Sequence, residues 1–285
     1  MGTMKKRFLR TRYGSIAVRE SEGDSPPVLL IPQNILGSES FWRQIAGEPG
    51  RRFRLIAFDF PGRGDSPKAA NPKRIYSLAA SVAIVRELSA VLDLHDPAVV
   101  GHGQGGHVAL QAVAAGLKPR SLMLIDTPPL GDPPDLRAAF LAGGIEENPL
   151  RATLTEAQSN RAARLMAPPG MPVPPYFARS IEATDPMARE SMGTSVLEDG
   201  GRDELALLAS LKVPVAVLMG EFDGIVNMEY VRAVRIPALW RDAVQVIAGA
   251  GHCPQYDAPL AFNPVFMDFL RETGQGPAPR PASAG

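Results

Sequence analysis

The chain has 285 residues, a length that suits one or two domains, and 30 Lys and Arg residues balance 30 Asp and Glu residues. Zero formal charge argues against a nucleic-acid or anionic-membrane partner, and 45% hydrophobic residues exclude a disordered chain. One cysteine, Cys253, cannot form an intrachain disulfide, and no signal peptide or run of roughly 18 apolar residues is recognisable. We therefore expect a cytoplasmic protein.

Short apolar runs bounded by turn residues predict buried parallel strands. The first four are Val28–Ile31, Leu55–Phe58, Ala98–Val100 and Leu122–Ile125. Helical spacing of apolar residues predicts helices over Leu78–Leu92 and through Val108, Leu110 and Val113. Strands that alternate with helices indicate an α/β protein, and we expect a mainly parallel sheet of about eight strands.

This alternation breaks after Asp126, where the proline-rich segments PPLGDPP and APPGMPVPP lie among short helical patterns. We interpret residues 130–205 as a lid inserted into a core of residues 1–129 and 206–273. The Met and Phe side chains of such a lid are expected to line an apolar substrate cavity.

The sheet pattern returns near the end of the chain. Strands are predicted at Val213–Met219 and Val244–Ile247, and a last helix over Ala261–Leu270 carries three phenylalanines on one face. Residues 274–285 are expected to form a disordered tail.

The segment VVGHGQGGHVAL follows the third strand and has the form of a nucleophile elbow, a sharp strand-to-helix turn built from small residues. Gly101, Gly105 and Gly106 fill the small positions, and Gly103 stands where the nucleophile is expected. Of the flanking histidines, His102 and His107, we expect one to lie near the pocket.

Two later strands are followed by residues suited to proton transfer. His252, in the loop GAGHCP, is the candidate general base, and Asp223, in MGEFDGIV, is the carboxylate expected to orient it. Asp126 also follows a strand and is the competing acid.

Elbow, acid and histidine in this order resemble the α/β-hydrolase superfamily from Tyr13 to Leu270. The segments GSIAVRESEG, DFPGRGDSP, GHGQGGH and GAGHCP look closest to its N-acyl-homoserine lactonases. The resemblance implies a serine on the elbow, a triad completed by acid and histidine, and an oxyanion donor in a His-Gly stretch after an early strand.

Two of these features are missing. Gly103 has no side chain that could serve as a nucleophile, and Pro32-Gln33 replaces His-Gly. We expect the backbone N–H groups of Asn34 and Gln104 to supply the oxyanion donors, and Gln33 and His102 to be further substrate-binding candidates.

Three functions fit these residues. The first is an enzyme without the serine, in which the His252–Asp223 pair acts as a base on a small, largely apolar carbonyl substrate. Its reaction is direct attack by water or a non-hydrolytic elimination, decarboxylation, isomerisation or cyclisation. The second is a serine esterase or lactonase inactivated by a serine-to-glycine substitution at 103, and the third is a non-catalytic ligand-binding protein. We expect a small-molecule substrate, no cofactor and no metal, because four histidines stand without an acidic cluster; the substrate and the oligomeric state stay open.

Overall fold

A single eight-stranded sheet organises the chain, with strand order β1-β2-β4-β3-β5-β6-β7-β8. The computed structural model describes residues 4–24, 26–33, 35–191 and 201–274. The strands are β1 Lys5–Thr11, β2 Gly14–Glu20, β3 Val28–Ile31, β4 Leu55–Phe58, β5 Ala98–His102, β6 Ser121–Ile125, β7 Val215–Gly220 and β8 Gln245–Ile247. Strands β3 to β8 pair in parallel, and the predicted mainly parallel sheet is confirmed.

The strand runs predicted from apolar residues lie at or within two residues of the observed strands. β1 and β2 were not predicted. They form an antiparallel hairpin at the edge of the sheet, and β2 also pairs antiparallel with β4. β1 is largely exposed and polar, with Arg7 bound to Glu20 across the pair, so its residues do not form an apolar run.

Helices connect the strands and flank the sheet. They are α1 Trp42–Ile45, α2 Glu48–Arg52, α3 Pro72–Ile75, α4 Leu78–Val91, α5 Gln104–Ala114, α6 Leu136–Ala139, α7 Ala142–Glu146, α8 Glu156–Met166, α9 Pro175–Ala183, α10 Glu204–Ser210, α11 Met228–Ala233, α12 Pro254–Asp257 and α13 Pro259–Gly274. Short 3₁₀ helices span Ser38–Phe41 and Trp240–Asp242, and residues 186–191 are also helical.

The last helix, α13, is longer than predicted. It begins two residues earlier than predicted and continues to Gly274. The first residue of the expected tail, residue 274, therefore belongs to this helix, and residues 275–285 lie outside the described residues. Its final turn carries no apolar signal, because Arg271 and Glu272 are polar and exposed.

Apolar side chains cover both faces of the sheet. Leu29 of β3 belongs to the core under α4 and α5, whereas its neighbour Leu30 belongs to the core under α13. This alternation follows from the period of two along a strand. Packing on both faces holds the strands in place, and with them the loops at their carboxyl ends.

The segment between β6 and β7 contains α6 to α10 and packs over those loops. Its buried side chains Met166, Tyr176 and Phe177 form a third apolar cluster with Ile35 and Cys253, which belong to two strand-end loops. The insertion therefore lies beside the carboxyl ends of the strands. Its role as a lid stays a prediction.

Candidate active site

The turn at Gly103 joins β5 to α5. Gly103 has φ 52° and ψ −121°, in the left-handed region that favours glycine. Its N–H donates to the carbonyl of Ile125 at 2.8 Å, and its carbonyl accepts the Thr127 hydroxyl at 2.9 Å. A Cβ on Gly106 would stand 2.1 Å from Thr127 Oγ1, so the turn closes only because that residue is glycine. The predicted tight turn that opens a helix is confirmed.

The elbow aims its empty side-chain position at His252. A Cβ built on Gly103 would lie 3.4 Å from His252 Nε2, 3.0 Å from Gln33 Cγ and 3.6 Å from Gln33 Cβ. A side chain at this position would therefore contact both residues, and in its absence the space in front of the imidazole is open.

His252 and Asp223 form a buried pair. His252 Nδ1 lies 2.9 Å from Asp223 Oδ2, and only 3% of the histidine side chain is exposed. The second carboxylate oxygen, Oδ1, accepts the backbone N–H groups of Ile225 at 2.8 Å and Val226 at 3.2 Å. Three donors thus fix the carboxylate, and the structure brings the predicted base and acid together.

Competing effects set the pKa of Asp223. Burial alone would raise it, but the charge and ring hydrogen bond of His252, together with the N–H groups of Ile225 and Val226, outweigh burial and lower the pKa of this carboxyl. Asp223 is therefore a carboxylate that holds the Nδ1 proton of His252, which leaves a lone pair on Nε2.

Asp126, the competing acid, lies beside this pair, but the partner of the imidazole is Asp223. It is buried with φ 44°, and its Oδ1 accepts the backbone N–H of Gly220 at 2.8 Å. Burial, reinforced by the charge of Asp223, raises the pKa of Asp126 well above its usual value. Both effects favour the protonated form of Asp126 beside the carboxylate of Asp223.

One potential ligand atom from each of Asp126, Asp223 and His252 lies within 4.8 Å of the others. His252 and Asp223 are already joined by a hydrogen bond, which a cation would have to replace. Protonation of Asp126, which its raised pKa favours, would also compete with the binding of a cation. These three groups fit proton transfer better than metal binding.

His102 was expected to contact the substrate, and its position does not support that role. The ring is fully buried behind the site, with Nε2 2.7 Å from the carbonyl of His252 and Nδ1 3.0 Å from Gln255 Nε2. Burial, helped by the charge of His252, lowers the pKa of His102 to about 3. A neutral ring that donates from Nε2 and accepts at Nδ1 ties the His252 loop to β5.

The predicted oxyanion residues are only partly described. Gln104 is the first residue of α5 and lines the cavity, as does Gln33, while Asn34 lies outside the described residues. Gln33 bends across the elbow and contacts the Gly103 position. The convergence of the Asn34 and Gln104 N–H groups stays a prediction.

The site opens into a cavity of about 200 Å³ that also touches the insertion. Its walls are mostly apolar: Ile35, Pro128, Leu130, Leu136, Phe140, Ile145, Pro149, Leu150, Ala162, Leu165, Met166 and Ile225. The polar lining residues are Gln33, Gln104, His107, Asp126 and His252 from the core and Glu147 and Asn148 from the insertion. Such a cavity suits a small molecule with one polar end and one apolar chain.

Glu204 is a cavity neighbour that the sequence analysis missed. Its carboxylate is buried and lies 2.8 Å from Nδ1 of His107, which lines the cavity. The two residues are 97 positions apart, and Glu204 stands after the N-cap Asp203 like any acidic residue in a first helical turn. No local signal distinguishes it.

The part of the chain that the structure describes contains no helix both long and apolar enough to cross a membrane.

Solved structures similar to this chain include variants of one lactonase. A glutamate-to-glycine variant of N-acyl homoserine lactonase AidH, complexed with N-hexanoyl homoserine, is 31% identical with a TM-score of 0.89, covering 98% of this chain and 100% of that chain. A serine-to-glycine variant of AidH, complexed with N-hexanoyl homoserine lactone, is 31% identical with a TM-score of 0.88, covering 94% and 98%. The predicted resemblance to these lactonases is confirmed.

Sequence comparison gives a consistent result. Uncharacterized protein Rv2715 of Mycobacterium tuberculosis is 25% identical over 290 residues, which cover 93% of this chain and 81% of that protein. The model of the alpha/beta hydrolase family matches residues 32–265, a span from the loop after β3 into α13. With this match over most of its length, the chain belongs to the alpha/beta hydrolase family.

Proposed function

We propose that this protein is an enzyme that acts on a small carbonyl compound with an apolar chain, and that His252, held by Asp223, is its general base. The observation that carries the proposal is the 3.4 Å between His252 Nε2 and the Cβ position of Gly103. The missing side chain leaves room there for a water molecule or a substrate atom. A proton donor in that space is within reach of the Nε2 lone pair.

We infer hydrolysis of a lactone or ester as the reaction. Nε2 takes a proton from water as the water oxygen bonds to the carbonyl carbon. The bond from that carbon to the ring or ester oxygen then breaks, and the proton on Nε2 passes to the departing alkoxide. One water is added, and no acyl-enzyme forms, because Gly103 offers no oxygen. The N–H of Gln104 is the proposed donor to the developing oxyanion.

Two observations support this substrate class. AidH, a lactonase, has similar structure over nearly the whole chain, and its variants were solved with an N-hexanoyl homoserine lactone and an N-hexanoyl homoserine. The cavity of about 200 Å³ has apolar walls suited to a short acyl chain, with side chains such as Phe140 and Leu150 contributed by the proposed lid.

A ligand-binding function is the second candidate, and one observation favours it. The serine-to-glycine variant of AidH was solved with a closed lactone ring, so a hydrolase fold with that substitution holds such a ligand. If the same holds for Gly103, this protein binds a lactone without opening it.

Product analysis separates the two functions. The protein is incubated with N-hexanoyl homoserine lactone in ¹⁸O-water. The lactone and its products are then recovered, and their masses are measured by mass spectrometry. We expect many equivalents of ring-opened acid that carries one ¹⁸O atom. A Gly103→Ala variant, whose methyl group fills the space before His252, serves as the control and should lose turnover.

Three other outcomes would overturn lactone hydrolysis. Recovery of intact lactone with measurable binding would favour the ligand-binding function. A product without the label would favour one of the non-hydrolytic reactions, in which His252 removes a proton from the substrate itself. Neither binding nor conversion would exclude this lactone as a substrate.

A further inference from the structure

A second histidine–carboxylate pair lies in the wall of the cavity. His107 Nδ1 is 2.8 Å from Glu204 Oε2, and both side chains are buried. His107 follows Gly103 by four residues in the first turn of α5, and both residues line the cavity. The cavity therefore has two histidines, His107 and His252, each held by a carboxylate through Nδ1.

Three groups fix Glu204, two from α5 and one from the segment after β6. Besides the His107 ring, it accepts the backbone N–H of Leu130 at 2.9 Å and Gln111 Nε2 at 3.1 Å. In the neutral form of the ring, an acceptor held in this way keeps the proton on Nδ1 of His107, which leaves the lone pair on Nε2. Nε2 is across the ring from Glu204 and is the nitrogen suited to a bound molecule.

Anchoring the insertion does not by itself account for His107. Gln111 already binds the segment before α10, because its Nε2 donates to the carbonyl of Arg202 at 2.8 Å and its Oε1 accepts the Arg202 N–H at 2.9 Å. Burying a histidine and a carboxylate carries a desolvation cost that an apolar pair of the same volume avoids. The nearby walls, at Pro128 and Leu136, are apolar. A polar nitrogen in this wall indicates a polar group on the ligand.

We propose that His107 Nε2 accepts a hydrogen bond from an amide N–H or hydroxyl of the substrate, and that the His107–Glu204 pair thereby selects substrates with a donor close to the reacting carbonyl. The inference rests on the proposed function, in which that carbonyl lies beside Gly103. Because Gly103 and His107 line one cavity and are four residues apart in the chain, we expect the donor to lie within a few bonds of the carbonyl carbon.

Two lactones that differ in one group test this selection. N-hexanoyl homoserine lactone carries an amide N–H, and its ester analogue, α-hexanoyloxy-γ-butyrolactone, has oxygen in its place. Dissociation constants are measured by calorimetry with His252→Ala as the common background, so that binding is read without turnover. We expect the His252→Ala protein to bind the amide roughly tenfold more tightly than the ester, which is the contribution of one good hydrogen bond.

Two variants on this background remove or weaken the acceptor by different routes. His107→Phe keeps a planar ring without nitrogen and should bind the two lactones equally. Glu204→Gln replaces the charged acceptor of the Nδ1 proton by a neutral amide, which holds that tautomer less firmly, so it should reduce the preference for the amide. His95→Phe is the matched control: His95 pairs with Asp93 at 2.9 Å but is 85% exposed, and its loss should leave the preference unchanged.

The outcomes separate this inference from the proposed function. Tight binding of both lactones with the same ratio in His107→Phe and Glu204→Gln would overturn the role of His107 and leave the function standing. Binding of neither lactone would overturn the substrate class and the inference with it. If His107→Phe does not fold, the ratio measured for Glu204→Gln decides.

Discussion

His252 directs its Nε2 at the empty side-chain position of Gly103, 3.4 Å from where a Cβ would stand. The elbow keeps the backbone conformation that presents a nucleophile, and the imidazole keeps its carboxylate partner, Asp223. The histidine base and its carboxylate partner are thus both present, but the position that they face carries no nucleophile. This relationship favours chemistry in which the base acts on water or on the substrate directly.

Asp223→Asn should slow turnover less than loss of the base does. The amide oxygen of the new side chain would still accept the N–H groups of Ile225 and Val226, but its NH₂ group would present a donor to Nδ1 and disfavour the working tautomer. We expect a loss of roughly 10²-fold, measured as kcat with N-hexanoyl homoserine lactone. Neighbouring Asp126 ionises more readily once the charge of Asp223 is gone. A second substitution, Asp126→Asn, should therefore remove the remaining activity; an inactive single variant would contradict this.

Gly103→Ser should give at best a weak esterase. Its Cβ would stand 3.0 Å from Gln33 Cγ, so Gln33 must shift, and Pro32-Gln33 replaces the loop that supplies an oxyanion donor in the family. Loss of one such donor costs roughly 10²–10³-fold in rate. The measurement is hydrolysis of p-nitrophenyl butyrate, with Gly103→Ala as the control for the added Cβ. Efficient hydrolysis by the serine variant alone would instead favour an inactivated serine esterase.

Asp126→Asn should stabilise the protein increasingly as the pH rises. Because its pKa is raised, Asp126 holds its proton to a higher pH in the folded protein than in the unfolded chain, which releases the proton above the ordinary value of 3.8. Rising pH therefore favours the unfolded state of the natural protein, and asparagine removes this effect while it still accepts the N–H of Gly220. Urea unfolding at about pH 5 and pH 7 checks the sign. An advantage of the variant that does not grow between these two pH values would show that Asp126 is already ionised in the folded protein over this range.

His102→Gln should make stability less sensitive to acid. The unfolded chain binds a proton at His102 below its ordinary pKa of 6.5, whereas the folded protein does so only near its lowered pKa of about 3. The natural protein thus has the full contribution of this group above pH 6.5 and loses it as the pH falls toward 3. By pH 5 the loss is about 2 kcal/mol. Glutamine should remove that part of the difference between urea unfolding at about pH 7 and pH 5; identical differences in both proteins would contradict the assignment.

The sequence predicted the parallel strands well for a physical reason. A strand buried on both faces, such as Val28–Ile31, is a continuous apolar run between turn residues, and its bounds matched the structure. The exposed hairpin strand Lys5–Thr11 has no such run and was missed. The predicted Val213–Met219 begins two residues before the observed Val215–Gly220, because composition does not mark where pairing starts.

The candidate site residues also divide into those that the sequence could predict and those that it could not. Gly103, Asp223 and His252 could be found because each follows a strand and strand ends meet at one edge of a sheet. The direction of His102 depends on the pleat of β5 and on Gln255, far away in the sequence. The partner of His107 depends on the path of the insertion, which brings Glu204 back to α5. Such contacts arise from packing and leave no local pattern.

Comparison of the natural protein with His252→Ala tests the central claim most directly. Both are mixed with N-hexanoyl homoserine lactone, and ring opening is followed over time. The mass of the intact protein is measured by mass spectrometry during turnover. We predict repeated turnover by the natural protein, no acyl adduct, and a loss of roughly 10²–10⁴-fold or more in His252→Ala, with no such loss in the surface control His95→Ala. Unchanged turnover in His252→Ala, or tight binding of the lactone by the natural protein with no ring opening at all, would contradict the claim that this glycine-bearing site is a working base.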